Sequence, residues 1–331
     1  MLILNAAEVR QALPMGEAVA AMKAAFAALA EGRTIVPQRT HLSVARHAGV
    51  SLIMPAFVDD ADPHSQALAV KVVSVFDNNQ TRGVARIQAA VLVIDPATGR
   101  PQGLLEGAAL TAIRTAAASG AATDLLARRD SRRLALFGAG VQARTHLEAV
   151  CAVRPVEEVR IYSRTPEKVA ALIAEVTGWP GFSARLIAAA SPRAALQQAD
   201  IVCAATTSKV PIFDDDDLLP GAHVNAVGSY TRDACEIPAE TVRRALIVVD
   251  SREAAWQEAG DLIQPLEAGL IDRGQIHADL GELVLGRRPG RTDERQITFF
   301  KSVGLAVQDA VAARYALDNA RRLKLGREVQ W

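Results

Sequence analysis

Three cations lie inside segments that are otherwise apolar or small: Arg39 in IVPQRTHLSV, Lys71 in ALAVKVVSVF and Arg114 in ALTAIRTAAASG. A buried charge without a partner costs several kcal/mol, so each of them predicts a facing counter-charge. A bound carboxylate would supply it. So would a structural acid, or escape of the side chain to water, and the patterning alone leaves these readings open. A second chemistry is written in LALFGAGVQA, where Gly138, Gly140 and Ala143 fit Gly-x-Gly-x-x-Ala between an apolar run and a helical segment. The first glycine permits a tight turn, the second lets backbone approach a pyrophosphate, and the small third residue lets helix and strand pack closely. The helix start beyond it offers N–H groups and a positive dipole end to phosphates. An ordinary strand-to-helix turn is the alternative; the strand before the loop and the strand–helix rhythm after it favour a dinucleotide.

The end of the next strand bears on which dinucleotide. A carboxylate there would accept hydrogen bonds from the adenosine ribose, but RIYSRTPEK offers Ser163, Arg164 and Thr165. Arg164 suits a 2′-phosphate and the hydroxyls add donors, which favours NADP(H) with NAD(H) as the second possibility. A solvated arginine beside a threonine that caps the following helix is the plainer alternative. Other clusters carry less. Asp214–Asp217 form a run of adjacent acids that cannot aim all its side chains one way, so a solvated loop is expected. Cys151, Cys203 and Cys235 are too few and scattered for a disulfide framework or zinc spacing, Cys203 reads as packing in an apolar strand, and the six histidines form no ligand pair at helical spacing. No metal is expected.

Elements must hold these groups in place. MGEAVAAMKAAFAALAEG has Val19, Met22, Phe26 and Leu29 at helical spacing and ends at Gly32, which predicts a helix over 15–32 with one buried face. SLIMPAF, ALAVKVVSVF and AAVLVID are β-rich runs separated by turn clusters, predicting an antiparallel or mixed sheet in which Lys71 shares a face with Ala69 and Val73. DPATGRPQG reads as a hairpin-like turn, and GAALTAIRTAAASGAATDLLA as a long helix whose small residues permit close packing. From about Ala122 to Phe299 short apolar runs alternate with helical segments, the sequence form of a parallel sheet covered on both faces. The expected organisation is α/β: residues 122–299 as a doubly wound parallel-sheet domain, and residues 1–121 with 300–331 as a smaller α+β domain completed by the helix in KSVGLAVQDAVAARYALDNARR.

The totals exclude other classes. Of 331 residues half are hydrophobic and 22% charged, which excludes a mostly disordered chain. Lys plus Arg equals Asp plus Glu at 37 each, so no overall field draws the protein to nucleic acid or to an anionic membrane, and a small-molecule partner is expected. MLILNAAEVRQALPM lacks a basic leader region, and no segment reaches the roughly 18 uncharged residues of a membrane span. A cytoplasmic protein is the expectation.

Taken in order, QRTHL, AVKVVSVF, AAVLVIDPATG, LTAIRTAAASGAAT, FGAGVQARTHLEA, HVNAVGS, EAGDL and FKSVGLAVQD resemble the ornithine cyclodeaminase/mu-crystallin family along nearly the whole chain. The resemblance implies a homodimer in which a substrate-binding and dimerisation domain accompanies a Rossmann domain. By position it assigns Arg39, Lys71 and Arg114 to the substrate carboxylate and the reacting carbon, with Arg114 also bordering the cofactor. It assigns Gly138, Gly140, Val141 and Gln142 to the pyrophosphate, and Ser163, Arg164 and Thr165 to the adenosine ribose. Thr206, Ser208, Val227, Gly228, Ser302 and Gly304 match segments that approach the nicotinamide; ordinary turn chemistry is the alternative for each.

One departure matters. Ornithine cyclodeaminases carry an aspartate just after the Val-Gly pair of this segment, where VGSYTRDACEI has Tyr230, with Asp233 three residues on. A second acid of those enzymes, shortly before the Met-Pro pair, is Leu52 here. The equipment for reducing a C=N bond beside a carboxylate is complete, so the resemblance implies a ketimine reductase acting on Δ1-pyrroline-2-carboxylate or Δ1-piperideine-2-carboxylate. Ornithine cyclodeamination and an alanine-type dehydrogenation are the alternatives within the fold. A mu-crystallin-like NADP-dependent binding protein is the third, and the three embedded cations argue against it.

Overall fold

The structure, a computed structural model, describes residues 1–330, the side chain of Gln80 excepted. Two compact units account for the chain: Met1–Arg114 with the segment that begins at Gly304, and Thr115–Val303. The division falls within the helix Gly107–Leu126.

In the first unit, β1 (Leu2–Leu4), β2 (Thr34–Ile35), β3 (Thr40–Val44), β4 (Gly49–Val58), β5 (Ala67–Phe76), β6 (Ile87–Ile94), β7 (Pro101–Glu106) and the C-terminal strand Arg327–Glu328 make one sheet. β4 to β7 form an antiparallel meander, and β1 joins β7 in parallel. Alternation along β5 puts Ala69, Lys71 and Val73 on one buried face beside Met54, Ala56, Val91 and Val93. The C-terminal helix Ala306–Leu323 packs on β4, β5 and the helix Met15–Ala30, closing that face. The opposite face is apolar and uncovered within the unit: Ile35, Leu42, Ile53 and Val72 are 62%, 57%, 38% and 43% exposed, with Ile53 and Val72 directly paired.

The second unit is a parallel sheet of eight strands. β8 (Arg133–Phe137), β9 (Glu158–Tyr162), β10 (Arg185–Ala188), β11 (Ile201–Ala204), β12 (His223–Ala226), β13 (Leu246–Val249), β14 (Ile276–Asp279) and β15 (Thr298–Lys301) lie in the order β10-β9-β8-β11-β12-β15-β13-β14. Both faces are covered, so alternate residues serve different cores. Ala135, Phe137, Val202 and Ala204 join one apolar cluster, and Leu134, Leu136, Ile201 and Cys203 join the other. Burial pushes the Cys203 thiol up to about 12, which makes it packing. The chain winds outward in both directions from between β8 and β11, a topological switch point of the kind that binds ligands at strand C-termini. The expected α/β fold, a doubly wound parallel sheet with a smaller α+β part, is the one observed. Among the described residues no single helix is long and apolar enough to cross a membrane.

Candidate active site

In the first unit two of the three sequence-predicted cations, Lys71 and Arg114, meet one acid. Lys71 Nζ lies 2.6 Å from Asp309 Oδ2, and Arg114 Nε donates to Asp309 Oδ1 at 3.0 Å. Arg114 Nη1 donates to Gln308 Oε1 at 3.1 Å, and Arg39 Nη2 to the Gly304 carbonyl at 3.0 Å. Lys71, Arg114, Gln308 and Asp309 are all buried. For Lys71 and Arg114 the structural-acid reading is therefore the observed one. Local structure fixes each partner. Glu106 accepts from the backbone N–H groups of Ala108 and Ala109, starting the helix that carries Arg114. Gln308 Oε1 also accepts from Leu305 N at 2.7 Å, which shapes the first turn of the C-terminal helix. Asp309 stands in that turn, where a helix N-terminus favours negative charge.

Lys71 and Arg114 share the single carboxylate of Asp309, which cannot neutralise both. Burial lowers Lys71 to about 8; Asp309 acts to raise it, and the positive charges of Arg114 and Arg39 act to lower it. The pair of cations thus keeps a surplus of positive charge, and Lys71 loses its proton at a lower pH than an exposed lysine does. Asp309 and Gln308 escaped the sequence reading. The signal was an acid on the apolar stripe of a helix, among Ala306, Ala310 and Ala313, which are all buried.

In the second unit, Gly138 and Gly140 stand where β8 gives way to the helix Val141–Val153, with Gly140 as its N-cap. Gly138 has φ +105°, and a Cβ there would lie 2.5 Å from the Ala205 carbonyl oxygen, so the turn requires glycine. Val141 is 58% exposed and Gln142 half-buried in the first helical turn. A cavity of about 450 Å³ opens beside this loop, lined by Gly138, Gly140, Ser163, Arg164, Thr165 and Lys168 among others. Among the described residues that line it there is no carboxylate. Thr165 is the N-cap of the helix Pro166–Thr177, yet its side chain makes no capping hydrogen bond. Lys168, one helical turn beyond Arg164, is a second cation the sequence reading passed over. A glycine cradle, a helix N-terminus and an adjoining cationic pocket fit a dinucleotide.

The remaining candidates sit on loops at the C-terminal ends of the strands, and several hydroxyls there make turns. Ser208 N donates to Thr206 Oγ1, and Ser208 Oγ to the Val210 carbonyl. Ser302 is buried, with its hydroxyl donating to Asp250. Val227 and Gly228 follow β12, where Gly228 N donates to Glu236 Oε2 at 2.7 Å. Beneath these loops lies a network absent from the sequence reading: Glu236, Asp261, Lys301 and Ser229, none of which is exposed to solvent. Lys301 Nζ is 2.9 Å from Asp261 Oδ2. Burial raises the Glu236 carboxyl above the usual range, whereas Lys301 holds Asp261 below it despite its burial.

Tyr230 is 44% exposed. Asp233 is exposed as well, bound by Lys209 Nζ at 2.7 Å and Thr231 Oγ1 at 2.7 Å, with Lys209 holding it down at about 2. Both of its carboxylate oxygens are engaged at the surface, which argues against a substitute for the missing cyclodeaminase acid. Leu52 is half-buried on β4.

Comparison with known proteins gives one consistent picture. Residues 1–324 match the ornithine cyclodeaminase/mu-crystallin family. The chain is 39% identical over 335 residues to a Delta(1)-pyrroline-2-carboxylate reductase of Bacillus cereus, covering 100% of each. It is similar to the solved structure of Thermococcus litoralis Delta(1)-pyrroline-2-carboxylate reductase in complex with NADH and L-proline, at 42% identity and TM-score 0.92, covering 99% of this chain and 100% of that one. An archaeal alanine dehydrogenase dimer with bound NAD is similar at 29% identity and TM-score 0.89, covering 100% of this chain and 99% of that one. These likenesses run through both units, and the chain belongs to the ornithine cyclodeaminase/mu-crystallin family.

Proposed function

We propose that the protein is an NAD(P)-dependent oxidoreductase that reduces the C=N bond of a cyclic ketimine carboxylate, Δ1-pyrroline-2-carboxylate or Δ1-piperideine-2-carboxylate, to proline or pipecolate. The observation that carries this reading is the surplus of cations over acid around Asp309, in a chain alike from end to end to Δ1-pyrroline-2-carboxylate reductases. Arg39 and Arg114 bind the substrate carboxylate, each charge-assisted hydrogen bond contributing about 1.5–3 kcal/mol. Lys71 holds at Nζ the proton that the ring nitrogen takes up. The nicotinamide, when bound, supplies the hydride to the imine carbon, so the substrate gains one hydride and one proton.

Gly138, Gly140, Val141 and Gln142 hold the pyrophosphate, and Thr206, Ser208, Val227, Gly228, Ser302 and Gly304 form the segments at the nicotinamide end. NADP(H) is the preferred cofactor, because Arg164 and Lys168 line the cavity with Ser163 and Thr165 and no acid stands among them to hold an unphosphorylated ribose. NAD(H) is also accepted. The working form is a cytoplasmic homodimer formed through the outer face of the first unit's sheet, where Ile35, Leu42, Ile53 and Val72 make an exposed apolar patch; the dimeric state of the alanine dehydrogenase relative supports this.

Incubating the protein with NADPH or NADH and either imine, while following cofactor absorbance, tests the reading. Cofactor oxidation is expected with at least one imine. No oxidation with either, together with turnover of pyruvate plus ammonia, would replace it with an alanine-type dehydrogenase.

A further inference from the structure

The buried network under the strand ends has a shape that packing alone does not require. Glu236 presents one carboxylate oxygen to each of two different loops. Thr206 N, following β11, donates to Oε1 at 2.6 Å, and Gly228 N, following β12, donates to Oε2 at 2.7 Å. Its own backbone is pinned in turn, since the N–H groups of Glu236 and Ile237 both donate to Asp261 Oδ1, at 2.6 and 3.0 Å. The second oxygen of Asp261 receives Ser229 Oγ at 2.6 Å and the Lys301 ammonium, so the end of β15 is tied in as well. The loops are also close: a Cβ on Gly228 would lie 2.1 Å from the Thr206 carbonyl oxygen and 2.6 Å from Glu236 Cδ.

We propose that Glu236 is a positioning residue that uses its two carboxylate oxygens to hold the loops of Thr206 and Gly228 at a fixed separation, with Asp261 and Lys301 as its anchor. The proposal rests on the dinucleotide reading above, in which those loops serve the nicotinamide half of the cofactor. Only a carboxylate fits the position. A carboxamide accepts through one oxygen and turns its NH2 group against the second N–H donor, releasing one loop. A fully satisfied buried polar network is rigid, and a half-satisfied one is not.

The test compares wild-type protein with Glu236→Gln for binding of NADPH and of 2′,5′-ADP, which carries the adenosine half alone. Glu236→Gln is expected to weaken NADPH at least tenfold, to leave 2′,5′-ADP within twofold, and to lower kcat. NADPH binding within twofold of wild type would overturn the proposal, as would equal losses for both ligands. A wild type that binds neither of these ligands nor NADH would overturn the dinucleotide reading itself, and the proposal with it. One that binds NADH alone would overturn the NADP(H) preference, and NADH against ADP then gives the same comparison, with the same expected and overturning outcomes. A second measurement needs no variant: in the wild type the Thr206 and Gly228 amides, though in loops, are expected to exchange hydrogen as slowly as those of β11 and β12. Rapid exchange at either amide would overturn the clamp.

Discussion

Lys71 and Asp309 form an ion pair of 2.6 Å between side chains only 2% and 1% exposed, and Arg114 shares the same carboxylate from its other side. Removing the acid would leave two buried cations facing each other. Asp309→Asn is expected to destabilise the protein by about 3–5 kcal/mol, the usual loss when one partner of a buried pair is removed. Denaturant unfolding of the variant against wild type measures it.

The same pair sets a pH dependence. Burial lowers Lys71 to about 8, so the protonated form is present below that pH and lost above it. kcat/KM for imine reduction is expected to fall on the alkaline side with a midpoint near 8. Lys71→Arg, which cannot lose its proton in this range, should abolish that limb while lowering the rate. In Asp309→Asn the limb should move to lower pH, because a neighbour that raises Lys71 is gone. pH–rate profiles of the three proteins check the sign.

Arg114 engages Asp309 and Gln308 through the planar fork of its guanidinium. Arg114→Lys keeps the charge and loses the fork. KM for the cyclic imine is expected to rise by about tenfold or more, the worth of one charge-assisted hydrogen bond, while the Kd for 2′,5′-ADP stays unchanged. Steady-state kinetics and calorimetry separate the two effects.

Arg164 and Lys168 line the cavity beside Ser163 and Thr165. Replacing either by alanine should weaken NADPH by about tenfold or more and NADH much less. Equal losses for the two cofactors would remove the residue from the 2′-phosphate.

Ile53 and Val72 pair across β4 and β5 on the uncovered face of the first unit's sheet. Ile53→Asp combined with Val72→Lys is expected to yield monomers in light scattering, against dimers for wild type.

Much of this was legible in the sequence where pattern and period coincide. Strand periodicity put Lys71 on one face with Ala69 and Val73, the face that the fold buries, and the apolar run ending at Gly138 announced both the strand and the turn. The acid answering Lys71 was not legible, because Asp309 lies 238 positions along the chain, on a helix whose docking surface only the folded sheet defines. The roles of Glu236 and Asp261 were equally silent, because their meaning comes from backbone N–H groups that no sequence pattern displays. Thr165 shows the converse, an N-cap position where the familiar side-chain bond is not made.

The discontinuity of the first unit has a consequence for biosynthesis. Arg114 and Asp309 are 195 residues apart, and the whole contiguous second unit is translated between them. On the ribosome, Lys71 and Arg114 therefore wait without their carboxylate while the parallel sheet gains every strand it needs. The sheet can mature first, and the cationic half closes only when the last helix is released, so a chain cut short before Ala306 would carry a complete parallel sheet and a charged core that cannot shut.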